Sequence, residues 1–204
     1  MALDVFISST FADLIEYRRA VIETCQKAGF NPIAMEFFSA DPRNAQDACL
    51  EKIEASDIFI GIYAHRYGYV PANSARSITE IEFDYARQLK RPCLCFVVDE
   101  AFSWKGEFRE VKALPKLRAL KSKIDRTVIR ETFTTPEELA LKVAHSLSRL
   151  SGETSAEQSA KQPESNSGDV SISFGNNATF NDVTFVGRDY HGDNPQKRRK
   201  SEDE

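Results

Sequence analysis

The run Asp57–Tyr63, DIFIGIY, restricts what this chain can fold into more than any other feature. Its apolar residues neither alternate with polar ones nor recur at helical spacing, which is the pattern of a strand covered on both faces. Pro92–Val98, PCLCFVV, repeats the pattern. Strands buried on both faces belong to parallel sheets, and parallel neighbours need crossover connections that are usually helices.

The segments around these two runs fit that scheme. Leu3–Ile7 reads as a first strand. Phe11, Leu14, Ile15, Arg18, Val21, Ile22 and Cys25 then recur at spacings of three and four, predicting a helix that ends near Gly29. Phe30–Met35 is a second strand, and Pro32 places it near a sheet edge. Asp41-Pro42 opens a helix carrying Ala45, Ala48, Cys49 and Ile53, and a further helix covers roughly 77–90. A helix is predicted around 108–121, a short last strand over Thr127–Arg130, and a final helix from Pro136 with Leu139, Val143, Leu147 and Leu150 on its apolar side. The fold class predicted is α/β, a doubly wound five-stranded parallel sheet, whose ligands bind at the carboxyl ends of the strands.

Composition changes at Ser151. Residues 1–150 form the α/β domain, and 151–168, SGETSAEQSAKQPESNSG, contain no large apolar residue and read as a disordered linker. Residues 169–192 are β-prone, with Val170, Ile172 and Phe174 alternating before the turn signal Gly175-Asn176-Asn177, and Phe180, Val183 and Phe185 after it. A hairpin of two strands is marginal in water. A β-prone segment of low charge on a tether gains stability by stacking on copies of itself. Residues 193–204 form a charged tail, in which Lys197–Lys200 is either solvated or a nuclear-import signal.

The net charge of −4 gives no basic excess, so no nucleic-acid partner is expected. No apolar stretch approaches the roughly 20 residues of a membrane span. Met1–Asp4 lacks the basic start and apolar core of a signal peptide. Cys25, Cys49, Cys93 and Cys95 have no metal-ligand spacing and read as reduced thiols. A cytoplasmic location is therefore expected, with the nucleus as the alternative.

Two loops at the predicted carboxyl edge carry the candidate chemistry. Ser8, Ser9 and Thr10, with Phe11, end the first strand at the mouth of a helix. Three hydroxyls there suit an anion, and Ser9 or Thr10 also suits a helix cap with Asp13 three residues on. The reading adopted is a cap that also forms one wall of a nucleotide pocket. His65-Arg66-Tyr67-Gly68 follows the third strand, and Arg66 and Tyr67 suit a phosphate, ribose or base. Glu82 falls in the apolar phase of the next helix, among Ile78, Ile81, Tyr85 and Ala86. A buried carboxylate costs several kcal/mol unless paired, and such groups often do acid–base or nucleophilic work. Glu80 is the alternative, and a salt bridge from Glu82 to Arg66 or Arg87 is the structural reading.

The stretches VFISSTFADLIEYRRAVI, ASDIFIGIYAHRYGYVP and SITEIEFDYARQLKRPCLCFV resemble the domain-of-unknown-function family numbered 4062 over residues 3–100. That family resembles Toll/interleukin-1 receptor (TIR) domains and nucleoside deoxyribosyltransferases, which share a flavodoxin-like sheet. The resemblance implies a signalling or defence effector domain. By analogy with the enzymatic relatives, Glu82 with Ala86 four positions on would attack or stabilise a ribosyl anomeric carbon, so that NAD enters as a candidate substrate and no cofactor is required. Ser8, Ser9, Thr10, Phe11, Arg66 and Tyr67 would flank the nucleotide. NNATFNDVTFVGRDYH is similar to the amyloid-signalling motifs of fungal and bacterial innate-immunity proteins. That likeness implies self-association, or assembly with a nucleotide-oligomerisation receptor-type partner. The alternative to a hydrolase is a non-catalytic adaptor that oligomerises with such a partner.

Overall fold

The structure is a computed structural model that describes residues 2–38, 45–104 and 106–160. Five strands form one all-parallel sheet in the order β2-β1-β3-β4-β5. These are β1 (Asp4–Ser9), β2 (Asn31–Ile33), β3 (Ile58–Tyr63), β4 (Cys93–Val98) and β5 (Arg130–Phe133). The helices are α1 (Ile15–Lys27), α2 (Ala45–Ala55), α3 (Ile78–Gln88), α4 (Leu114–Thr127) and α5 (Pro136–Ala160). β2 is an edge strand of three residues, as Pro32 predicts, and β3 is buried at every position.

Strand alternation divides the core in two. Val5 and Ile7 of β1, with Ile58, Ile60 and Ile62 of β3, pack against α1 and α5 through Val21, Cys25, Leu139, Val143 and Leu147. Phe6, Phe59, Cys95 and Val97 point the other way, onto Ile53 of α2, Phe83 and Ala86 of α3 and Leu117 and Leu120 of α4. Each fully buried side chain of this kind is worth about 1.5–3 kcal/mol, against roughly 0–1 kcal/mol for an exposed ion pair. The two apolar layers, not the surface charges, hold the sheet between its helices.

Three boundaries differ from the sequence reading. The helix predicted around 108–121 occupies Leu114–Thr127, because Val111–Ala113 winds as a short 3-10 turn and Pro115 sits in the first turn of α4. The last strand consequently starts at Arg130 rather than Thr127, and Ile129, which the β-branched run placed in the strand, is 99 % exposed. The last helix runs on to Ala160, ten residues into the segment read as linker from Ser151. Glu153, Ala156, Glu157, Gln158 and Ala160 are all good helix formers.

The proposed β-prone segment 169–192, with Val170, Ile172, Phe174, Phe180, Val183 and Phe185, lies outside the described residues, as do the charged tail and the opening Asp41-Pro42 of the second helix. Among the described residues no helix is long and apolar enough to cross a membrane, and no group of three or more potential metal ligands occurs. All four cysteines are free thiols.

Candidate functional site

The period of two that sorts the core also sorts the hydroxyls. Ser8 shares the face of Phe6 and turns toward α3, while Ser9 turns the opposite way and meets α1. Ser77 caps α3, its hydroxyl accepting the Glu80 N–H at 3.3 Å. One helical turn further on, Glu82 is carried into the sheet beside Phe83 and is only 4 % exposed. The Ser8 hydroxyl donates to Glu82 Oε2 at 2.6 Å, joining two candidate residues that lie 74 positions apart. Burial raises the proton affinity of Glu82, and the Ser8 hydroxyl, the Cys49 thiol and the Arg18 charge oppose it. The same enclosure, with the Glu82 charge beside it, pushes the Cys49 thiol up. Neither Arg66 nor Arg87 pairs with Glu82.

Ser9 belongs to a second network. Arg18 of α1, only 1 % exposed, donates through Nη1 to Ser9 Oγ at 2.8 Å. Its Nε and Nη2 bind both oxygens of Glu36 at 2.6 Å, a bidentate ion pair that ties α1 to the 3-10 turn Met35–Phe37 after β2. Burial would raise the Glu36 pKa, but the Arg18 hydrogen bonds and charge outweigh it and hold it below the usual range. Arg18 stood in the apolar phase of the helix pattern, and that was the available signal for a buried, paired cation. Nothing local pointed to Glu36.

Neither Ser9 nor Thr10 caps α1. The helix starts at Ile15 with Leu14 at the cap position, no side chain closes it, and Ser9 Oγ instead donates to the Thr10 carbonyl at 2.6 Å. The Thr10–Asp13 capping box is therefore absent. Phe11 stands half exposed at 52 %.

The loop after β3 is fixed from below. Tyr67 is buried, its hydroxyl donating to Glu80 and accepting the Ser77 N–H at 3.2 Å. Lys123 of α4 also donates to Glu80, and reaches Asp84 at 3.1 Å. Glu80 is thus a neutralised tie between two helices and a loop. Glu110 Oε2 accepts the N–H groups of Tyr67 and Gly68 at 2.9 and 3.3 Å. Gly68 has φ +94°, and a Cβ there would stand 3.2 Å from Thr10 Cγ2 and 3.3 Å from Thr79 Oγ1, so only glycine lets the two candidate loops close on each other. Arg66 is half-buried, makes no hydrogen bond or ion pair among the described residues, and places its charge near Asp13.

Sequence reasoning brought Ser8 and Glu82 to one place, and the structure joins them. The sequence pattern gives Asp13 only a capping role beside Thr10, and the structure shows a buried carboxyl in its place. Asp13 is 6 % exposed, and burial raises its pKa; the Thr10 hydroxyl lies near enough to ease this without completing a hydrogen bond.

No curated protein matches this chain at a significant level. The model of the domain of unknown function DUF4062 matches residues 4–148, so it spans all five strands, and the chain belongs to that family.

Proposed function

We propose that the domain acts as a TIR-like interaction module of a signalling or defence protein, joining copies of itself or a receptor-type partner through residues 169–192. The observation that supports binding over catalysis is the closure around Glu82. Glu82 is 4 % exposed and its carboxylate is engaged by Ser8 at 2.6 Å, whereas attack on an anomeric carbon needs an open path to the carboxylate. Deleting 169–192 is expected to abolish co-assembly with the partner or with a second copy, measured by light scattering. Glu82→Gln, which keeps an acceptor for Ser8, is expected to leave assembly unchanged. Unaltered assembly without the segment sinks this reading.

A second reading is favoured by the raised proton affinity of Glu82 beside a hydroxyl at the carboxyl edge. On it, the clustered chain cleaves the N-glycosidic bond of NAD or a related nucleotide once the Ser8 contact opens. Incubating the assembled chain with NAD and following nicotinamide release separates the two. Release that Glu82→Gln abolishes establishes the hydrolase; equal inertness of both proteins removes it.

A further inference from the structure

Leu117, Arg118 and Lys121 follow Leu114 at three, four and seven residues, so all four share one face of α4. A stripe of this phase normally carries apolar residues toward the core. Lys121 is nonetheless only 8 % exposed, and a buried ammonium is costly unless it is fully paired. Its one hydrogen bond among the described residues runs to Glu100 Oε1 at 3.4 Å, and the Glu100 side chain is 76 % exposed. That contact is longer than the roughly 2.7–3.2 Å of ordinary hydrogen bonds. Burial lowers the Lys121 pKa, and Glu100 opposes it. Arg18, by contrast, holds both oxygens of Glu36 at 2.6 Å.

Lys121 and Glu100 line a cleft of about 260 Å³, to which His65 comes from the loop after β3 and Glu100 from the loop after β4. Three cations, Arg109, Arg118 and Lys121, and two carboxylates, Glu100 and Glu110, line it. Glu110 is already engaged, its Oε2 accepting the N–H groups of Tyr67 and Gly68. Arg109 and Arg118 are exposed, and their side chains form no hydrogen bond or ion pair among the described residues. His65 is half-buried. Burial lowers its pKa, and the charges of Lys121 and Arg109 lower it further, so two of the three cations converge on one neutral imidazole.

Cations gathered in a cleft with too little counter-charge attract an anion. Arginine binds phosphate through two parallel N–H···O bonds, and lysine adds a point charge. A carboxylate brings one charge and two oxygens, too few for three cations, whereas a diphosphate brings more of both. The volume is below the roughly 300–1,000 Å³ of sites that enclose a whole organic ligand, so it suits the anionic end of one. Val111 and Leu114, both exposed, line the same cleft and suit the organic part of an ester. The carboxyl ends of the strands are also where open parallel sheets bind their ligands.

We propose that this cleft binds a diphosphate group, Arg109 and Arg118 donating to its oxygens and Lys121 exchanging Glu100 for it. The group belongs to a nucleotide or to inorganic pyrophosphate. Glu100 is free to leave, because its side chain is mostly in solvent and its hold on Lys121 is long. The inference goes beyond the assembly role and does not depend on what Glu82 does.

Titration calorimetry of the full chain with pyrophosphate, ADP and adenosine tests the proposal. Saturable binding of pyrophosphate or ADP is expected, and none of adenosine. ADP binding the tighter assigns a nucleotide, and pyrophosphate binding at least as tightly assigns the bare diphosphate. Arg109→Gln and Arg118→Gln are each expected to weaken binding about tenfold or more, since each removes a charge-assisted contact. Lys121→Met is expected to do the same. Arg126→Gln, on α4 but outside the cleft, is expected to leave binding unchanged. Absence of saturable binding of both phosphate compounds at about 1 mM overturns the proposal. So does adenosine binding as tightly as ADP, unaltered binding in both cleft arginine variants, or an equal loss in Arg126→Gln. The two cleft arginines are exposed, so their variants decide the matter even if Lys121→Met does not fold.

Discussion

Two regions at the carboxyl edge of this sheet contain deeply buried carboxyls, and they are finished in opposite ways. Around Ser8 and Ser9 the polar atoms are spent on one another: Glu82 on Ser8, and Glu36 and Ser9 on Arg18. Beside α1, Asp13 and Trp104 complete no hydrogen bond. Glu82 and Asp13 are 4 % and 6 % exposed, and burial raises the proton affinity of both. Burial alone therefore does not separate a paired carboxyl from an unpaired one. The donors within reach do.

The largest effect is expected where a buried charge loses its partner. Glu36→Ala leaves the Arg18 guanidinium, 1 % exposed, without a counter-charge, and is expected to cost about 3–5 kcal/mol in urea unfolding. A loss below about 1 kcal/mol would show that the network is not closed as described. Ser8→Ala comes next, removing the donor to a buried carboxyl at a cost of about 1–3 kcal/mol. Asp13→Asn is expected to move stability by less than about 1 kcal/mol, and upward at neutral pH, since it removes a desolvated charge that has no completed hydrogen bond. If Asp13→Asn costs as much as Ser8→Ala, the contrast between the regions fails.

The smallest effects, in the pH profile, carry opposite signs. The folded pKa of Asp13 lies above its ordinary 3.8, so its protonated form adds stability below that value, and this is lost as pH rises through the folded pKa. The advantage of Asp13→Asn should thus be present at pH 7 and vanish below about 3.8. The folded pKa of Glu36 lies below its ordinary 4.5, so its stabilisation is complete above 4.5 and is lost as pH falls through the folded pKa. The penalty of Glu36→Gln should shrink on acidification. Chemical denaturation of the three proteins at pH 3.5 and pH 7 checks both signs.

Much of the architecture was legible because its signals are local. DIFIGIY and PCLCFVV became β3 and β4, buried as their unbroken apolar runs require, and Pro32 marked the edge strand. Near Thr127 the local signal misled. Thr127-Val128-Ile129 has the β-branched character of a strand, yet Ile124 and Leu120 must reach the layer shared with Phe83, so the helix continues to Thr127. The hydroxyl triplet was legible as a place of interest and not as a set of roles. Ser8 and Ser9 face opposite layers, and Thr10 caps nothing.

By itself, then, the sequence determined that five strands alternate with five helices in one parallel sheet, since periods of two and 3.6 are written in neighbouring residues, while strand order came from the tertiary structure. Which polar groups meet was decided only by the tertiary structure. Ser8 reaches Glu82 across 74 residues, and Arg18 reaches Glu36 from a different element. A hydrogen bond depends on distances of a few tenths of an ångström between elements far apart in the chain, and no local pattern encodes that.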